Sequence, residues 1–138
     1  MIVFGAPNEV DDHELKAVEC AVEMRKVLDE LNDEWDKVEF SRYWKNHGID
    51  KVDARAGIHS GSVIAGNIGS DRMLQYSAIG DVVNVAARLE QSNKEFGTDI
   101  CFSHEIYINL KKDLHDNASL SGEIKLKGRS TPLKVYSI

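Results

Sequence analysis

The chain has 138 residues, of which 42% are hydrophobic and 29% are charged. This length and balance predict one folded domain rather than two. The formal net charge is -6 at pH 7, which disfavours nucleic acid as a partner and a general electrostatic grip on anionic lipid. An anionic ligand would therefore be held by a few individually placed cations.

The sequence contains no membrane anchor or signal peptide that we can identify. No apolar run reaches the ~18–20 residues that span a bilayer, so direct membrane contact by this segment is not expected. Cys20 and Cys101 form no Cys-x-x-Cys pair, which favours two reduced core thiols over a disulfide framework or a zinc site. Reduced thiols indicate that this segment lies in the cytoplasm. This location is compatible with a longer parent protein that is attached to a membrane.

The first elements are a short strand and a long helix. Residues 1–4 are apolar and precede a turn, which predicts a strand. Asp11 and Glu14 fit a capping box, and apolar residues then recur at helical spacing. The pattern predicts a helix over about 12–34.

The next stretch leads from this helix to a second strand. Residues 32–50 mix aromatic and charged side chains, which predicts a continuation of the helix or a surface excursion. In residues 52–59 apolar and polar positions alternate, which predicts a half-buried strand with Arg55 on its polar side. A glycine-rich run over 57–69 follows.

The third strand and second helix are separated by one glycine. Residues 74–79 predict the strand, Gly80 the break, and Asp81 the cap of a helix running to about residue 94. Four apolar residues form the expected buried stripe of this helix: Val82, Val85, Ala86 and Leu89. Asn84 and Arg88 are four residues apart, so they share one face directed away from that stripe.

The rest of the chain predicts a mixture of short elements. We expect a strand over 99–102, a short helix over 104–110, a polar turn region over 111–122, and strands over 123–127 and 133–138.

Common nucleotide and metal motifs are absent. Gly61 and Gly66 have the spacing of a phosphate loop, but Asn67 follows them where that loop carries lysine. No G-x-G-x-x-G fingerprint occurs, and His13 and Glu14 do not continue into a zinc-protease motif.

Several ordered motifs together are more specific. The chain resembles the catalytic domain of class III nucleotidyl cyclases over nearly its whole length, most weakly at 35–50 and 111–122. The resemblance rests on RAGIHSG (55–61), GNIGS (66–70), YSAIGDVVNVAARLE (76–90) and LKG (126–128), with FGAP (4–7) and DH (12–13) in the same order.

This resemblance implies both a fold and a reaction. The implied fold is α+β and ferredoxin-like, a mixed and mostly antiparallel sheet with helices packed on it. Residues 1–138 would be the C-terminal portion of a single catalytic domain whose first strands and helices are missing. Family members convert a nucleoside triphosphate into its 3′,5′-cyclic monophosphate and pyrophosphate, with two metal ions, at a site between two cyclase domains.

The resemblance assigns four side chains to that site. Asn84 matches the family asparagine that orients the ribose, and an amide can bond a neutral oxygen without adding charge. Arg88 matches the arginine that stabilises the transition state, because its planar fork can bind two oxygens of the α-phosphoryl group. Arg55 matches the arginine that contacts the triphosphate, and Lys127 matches the lysine at the β- and γ-phosphates. Since the halves of one site come from different chains, Arg55 need not serve the same nucleotide as Arg88.

Ser77 occupies the position that helps to select the base. Adenylyl cyclases of this family usually carry Asp or Thr there, and guanylyl cyclases usually carry Cys. A hydroxyl can pair with adenine, although it both donates and accepts and so excludes guanine less firmly. The resemblance therefore favours ATP as substrate and adenylate cyclase as the function, with guanylate cyclase as an alternative.

The chain departs from the family at the metal ligands. The two aspartates that hold Mg²⁺ or Mn²⁺ in the family would both lie upstream of Met1, so we expect this chain alone to be inactive. Whether Met1 is the natural first residue stays open. Four acidic residues fit helix caps or surface charges better than the ligand positions: Asp11, Asp12, Asp81 and Glu90.

The same departure shapes the expected partners. Strands without their neighbours show an unpaired edge, so we expect a homodimer, with exchanged elements as one way to form it. We also expect regulatory domains upstream in the same protein. A non-catalytic cyclase-like module for dimerisation or nucleotide sensing is the alternative from a different functional class.

Overall fold

The protein's structure, a computed structural model, describes residues 1–70, 73–126, 128 and 131–138. In these ranges the helices are α1 (His13–Lys37), α2 (Arg42–Lys45), α3 (Asp81–Phe96), α4 (His104–Tyr107) and α5 (Lys112–Asn117). The strands are β1 (Ala56–Ile58), β2 (Ile64–Ser70), β3 (Met73–Ile79), β4 (Ile100–Ser103), β5 (Ser119–Ile124) and β6 (Leu133–Ser137).

The central element is a four-stranded sheet with the order β1-β4-β6-β5. The pair β1 and β4 is parallel, whereas β6 is antiparallel to both β4 and β5. The sheet is therefore mixed and mostly antiparallel, with helices packed on it. This arrangement confirms the predicted α+β class.

The central strands contribute alternate residues to two hydrophobic cores, one on each face of the sheet. One core lies between the sheet and α3, and its buried members are Val85, Leu89, Cys101, Ile124, Leu133 and Val135. The other lies on the α1 and α4 side, and its buried members are Val18, Ile100, Phe102, Ile106 and Tyr136. Successive strand residues point to opposite faces, which is why Cys101 belongs to the first core and Phe102 to the second.

The contact between β1 and α3 is unusually close, and Gly57 makes it possible. A Cβ atom on Gly57 would lie 2.1 Å from the backbone nitrogen of Glu90 and 2.2 Å from the carbonyl oxygen of Ala86. Next to it, Asn93 Nδ2 donates a hydrogen bond of 2.9 Å to the carbonyl oxygen of Ala56. The start of β1 is thus fixed directly to the backbone of α3.

Residues 33–51, which begin with the last residues of α1, form a surface excursion before β1, and both predicted alternatives for 32–50 are confirmed. The helix α1 continues to Lys37 and α2 follows. Three aromatic rings cluster within the excursion: Trp35, Phe40 and Trp44, with centroids 5.5–6.1 Å apart. Its ends are closed by Asn32, whose amide bonds both the backbone N–H and the carbonyl oxygen of Val52 at 2.9 Å.

Strands β2 and β3 form a separate antiparallel ribbon. Six of its large apolar residues are exposed: Ile64, Ile68, Met73, Leu74, Tyr76 and Ile79. The strand β2 was not predicted, because its glycines at 66 and 69 give a weak strand pattern.

The first residues and the start of α1 differ from expectation. The strand predicted at 1–4 is wrong, because no described strand pairs with this segment. The predicted capping box is also wrong: the N-cap is Asp12, without a side-chain cap bond. Glu14 instead accepts a hydrogen bond of 2.9 Å from Ser60 Oγ.

Two smaller expectations are corrected as well. The N-cap of α3 is Gly80 rather than Asp81, which is the first helical residue. The region predicted as a polar turn over 111–122 contains α5 and the first part of β5. The helix α5 has only six residues, which is too short for the spacing of apolar residues to predict a helix.

Both thiols are free: Cys101 is fully buried, and Cys20 is half-buried on α1. Burial raises the pKa of the Cys101 thiol. None of the helices in the described ranges has the length and apolarity that crossing a bilayer requires.

We predict that Gly57→Ala destabilises the fold by about 1–3 kcal/mol, because the added methyl group meets backbone atoms that cannot rotate away. Urea unfolding measures this free energy. Gly66→Ala is the matched control, since a Cβ there meets no atom within 4 Å. Equal stability of the two variants would contradict the direct packing of β1 on α3.

Candidate active site

Asn84 and Arg88 lie one turn apart on α3, and both are exposed. Arg88 Nη1 donates to Gln91 Oε1 at 3.2 Å, and its Nη2 lies 3.8 Å from Glu95 Oε1. Exposed pairs of this kind contribute little stability. The prediction of a shared, outward face is confirmed, and the guanidinium of Arg88 is available for an anionic ligand.

Arg55 directly precedes β1 and is held differently. Its Nε donates a hydrogen bond of 3.0 Å to Glu90 Oε1 on α3, and its side chain is 31% exposed. This ion pair joins two elements rather than two turns of one helix. Sequence reasoning treated Glu90 only as a surface charge, and no signal in the sequence links it to a residue 35 positions away.

Arg88 and Glu90, the partner of Arg55, lie on different faces of α3. Positions 88 and 90 are about 200° apart around a helix axis, so the Glu90 partner of Arg55 lies almost opposite Arg88. The structure therefore brings Asn84 and Arg88 together and does not bring Arg55 to their face. That one chain contributes these residues to different nucleotides stays a prediction.

Ser77 and Lys127 complete the predicted set. Ser77 is half-buried on β3, where it pairs with Gly66 of β2, and β3 leads through Gly80 into α3. Lys127 lies outside the described residues. Its neighbour Leu126 packs against the core on the α3 side of the sheet.

An arginine of α1 ties down the segment that carries Arg55. Arg25 forms an ion pair with Asp53, lies 3.1 Å from Asp99 and 3.6 Å from Asp29, and donates to the carbonyl oxygen of Ala54. The hydrogen bond from Arg25 lowers the pKa of the Asp53 carboxyl. Sequence reasoning missed this network, because Arg25 stands among the other charged residues of α1.

A cavity with acidic side chains lies elsewhere, between residues 3–14 and the segment 61–65. The cavity measures about 670 Å³. Its lining includes four carboxylates, from Glu9, Asp11, Asp12 and Glu14. Such a lining repels phosphate groups, so we place no nucleotide there. In the part of the chain that the structure describes, no three His, Cys, Asp or Glu side chains converge as a metal site would require.

Comparison with known proteins identifies the family. Residues 1–138 match the model of the adenylate and guanylate cyclase catalytic domain, and the chain belongs to this family. It is 34% identical to adenylate cyclase 1 of Rhizobium meliloti over 99% of this chain and 19% of that protein. The chain thus spans about a fifth of the length of this relative.

Two solved structures share the fold. The guanylyl cyclase Cya2 superimposes with a TM-score of 0.73 at 28% identity, covering 97% of this chain and 61% of that one. The adenylyl cyclase CyaB from P. aeruginosa gives 0.68 at 30% identity, covering 97% and 63%. The predicted class III cyclase fold is confirmed.

We predict that Asp53→Asn lowers the stability at neutral pH by roughly 0.5–1 kcal/mol, since half of this carboxylate is exposed. A depressed pKa means that the stabilisation is present above the ordinary range of aspartate and is lost as the pH falls through the lower, folded value. The difference from the unaltered protein should therefore shrink toward acid pH. Urea unfolding at about pH 7 and about pH 3 measures it, with exposed Asp33→Asn as the control; a difference independent of pH would contradict the ion pair.

Proposed function

We propose that this chain is part of an adenylate cyclase that converts ATP to 3′,5′-cyclic AMP and pyrophosphate. Family membership supports a nucleotide cyclase. The observation that carries the proposal is the joint presentation of Asn84 and Arg88 on one exposed face of α3. An amide and an arginine one turn apart suit a ribose and the phosphate attached to it.

The family resemblance implies the reaction, and these two groups suit its steps. The ribose 3′-oxygen forms a bond to the α-phosphorus, while the bond from that phosphorus to the pyrophosphate oxygen breaks. The proton of the 3′-hydroxyl passes to solvent and is balanced by protonation of the departing pyrophosphate. Asn84 orients the ribose by bonding a neutral oxygen. Arg88 exchanges its weak contacts with Gln91 and Glu95 for two oxygens of the α-phosphoryl group, where negative charge accumulates.

The site is completed by a second copy of the chain in this proposal. Arg55 lies on another side of α3 from Arg88, held by Glu90. In a homodimer, formed with or without exchanged elements, Arg55 of one copy would contact the triphosphate of the nucleotide bound at α3 of the other copy. Lys127 would hold the β- and γ-phosphates of the leaving group. Regulatory domains upstream would then act by changing how the two copies meet, and the cytoplasm would supply the nucleotide.

ATP is the substrate we favour because Ser77 carries a hydroxyl that can pair with adenine. The guanylyl cyclase Cya2 and the adenylyl cyclase CyaB both share the fold, so fold alone does not select the base. Guanylate cyclase is the second candidate on the ground that a serine hydroxyl also donates and accepts toward guanine.

Two Mg²⁺ or Mn²⁺ ions are expected in the complete domain, where they would neutralise phosphate charge. By the family resemblance, neither aspartate of the pair that holds them has a counterpart in this chain, and among the described residues no group of three or more His, Cys, Asp and Glu side chains converges. We therefore derive no step through a metal, and we expect little turnover from this chain by itself. The same observation favours the non-catalytic dimerisation or nucleotide-sensing module as a further candidate.

We expect cyclic AMP to form from ATP in the presence of Mn²⁺ when the chain is extended upstream, and little or none from the 138-residue chain alone. Chromatographic analysis of products from ATP and from GTP measures both activity and base choice. Faster turnover of GTP would favour the guanylate cyclase. Inactivity of an extended chain that is folded and dimeric would favour the non-catalytic module.

We predict that Arg88→Ala and Asn84→Ala each lower turnover about 10²-fold or more, because each removes a contact made in the transition state. Initial rates of cyclic nucleotide formation in the active, extended protein measure this. Arg42→Ala, at an exposed arginine of α2, is the matched control and should keep the full rate. Normal turnover in both α3 variants would refute their assignment.

A further inference from the structure

The guanidinium of Arg55 is occupied on one edge only. Nε donates to Glu90 Oε1 at 3.0 Å. In the ranges that the structure describes, no residue accepts a hydrogen bond from its two Nη groups. Arg55 therefore presents two parallel donors that nothing in the described chain uses, and this edge matches two oxygens of a phosphate.

The geometry of the pair is fixed by backbone contacts on both sides. Gly57 lets β1 lie directly on the backbone of Glu90, and Asn93 bonds the carbonyl oxygen of Ala56 at 2.9 Å. Arg25 and its aspartates hold the preceding residues. The Cα atoms that carry the pair cannot separate without disrupting this packing, so the pair persists more firmly than an exposed pair between flexible segments.

We propose that Glu90 is a positioning residue for Arg55: it holds Nε so that the Nη edge meets the triphosphate of the substrate. The proposal rests on the proposed function in that the ligand is a nucleoside triphosphate. A carboxylate beside an anion site costs affinity through repulsion, so the gain must come from pre-orienting a long, flexible side chain. Glu90 thus acts through Arg55 and makes no contact with the nucleotide.

Two substitutions separate orientation from charge. Glu90→Gln removes the negative charge but keeps a carbonyl oxygen that can accept from Nε. Glu90→Ala removes the acceptor as well. If Glu90 orients Arg55, Glu90→Ala weakens nucleotide binding and Glu90→Gln nearly restores it. If Glu90 only repelled phosphate or competed for Arg55, both variants would bind the nucleotide more tightly.

The test measures the Kd of ATP by isothermal titration calorimetry, and KM and kcat for cyclic nucleotide formation, on the protein used in the turnover assay. We expect Glu90→Ala to raise Kd and KM about 3- to 10-fold and to leave kcat within about twofold, since orientation for binding is lost. Glu90→Gln should stay within about twofold of the unaltered protein. In an Arg55→Ala background, Glu90→Ala should have no further effect.

Exposed Glu19→Ala on α1 should leave every value unchanged. If Glu90→Ala does not fold, Glu90→Asp replaces it, because the shorter side chain withdraws its oxygen from Nε and should weaken ATP binding as well. Unchanged or tighter binding in the Glu90 variant, or an equal loss with and without Arg55, would overturn the proposal.

Failure of the proposed function is a different result. Protein that binds ATP but forms no cyclic nucleotide refutes the adenylate cyclase, while the affinities still decide the role of Glu90. Normal turnover with unchanged KM in Glu90→Ala refutes the positioning role and leaves the cyclase intact. Protein that binds neither ATP nor inorganic tripolyphosphate overturns the positioning role directly.

Discussion

The direct packing of β1 on the backbone of α3 is the contact on which the rest of the structure depends. Gly57 has no side chain, so the strand approaches Glu90 and Ala86 more closely than any other residue type allows. That approach sets the height of α3 above the sheet, and with it the depth at which Val85 and Leu89 enter the core. Asn93 then satisfies the carbonyl oxygen of Ala56, which the close approach would otherwise strip of water.

The same contact determines what each face of α3 can do. The face toward β1 carries Glu90 and receives Arg55, whereas the outward face carries Asn84 and Arg88. A helix fixed on one side by backbone contacts can hold its exposed side chains in a constant relation to the sheet. The proposed chemistry needs this, because a small misplacement of an oriented group greatly reduces its effect.

The spacing of apolar residues predicted the larger helices, and the ordered motifs predicted the family. Neither kind of pattern predicts side-chain contacts between residues that are distant in the sequence. The long helix α1 and the helix α3 follow from apolar spacing, and the shared face of Asn84 and Arg88 follows from helix geometry alone. The strand β2 could not be predicted, because the glycines within it weaken the alternating pattern that indicates a strand. The pairs Arg55–Glu90 and Arg25–Asp53 join residues 35 and 28 positions apart, and no local pattern encodes such partners. Residues 1–4 looked like a strand because apolar composition does not reveal whether a partner strand is present.

Residues 33–51 leave the domain and return to it at one place, because Asn32 and Val52 are joined by two hydrogen bonds. The two ends of this excursion are joined by the paired hydrogen bonds of one amide, and its aromatic rings pack on one another. Changing the length of such a surface loop costs little free energy when its ends stay in place. The excursion is therefore a natural place to introduce a fluorophore or an affinity epitope into this domain, far along the chain from Arg88 and without opening either core.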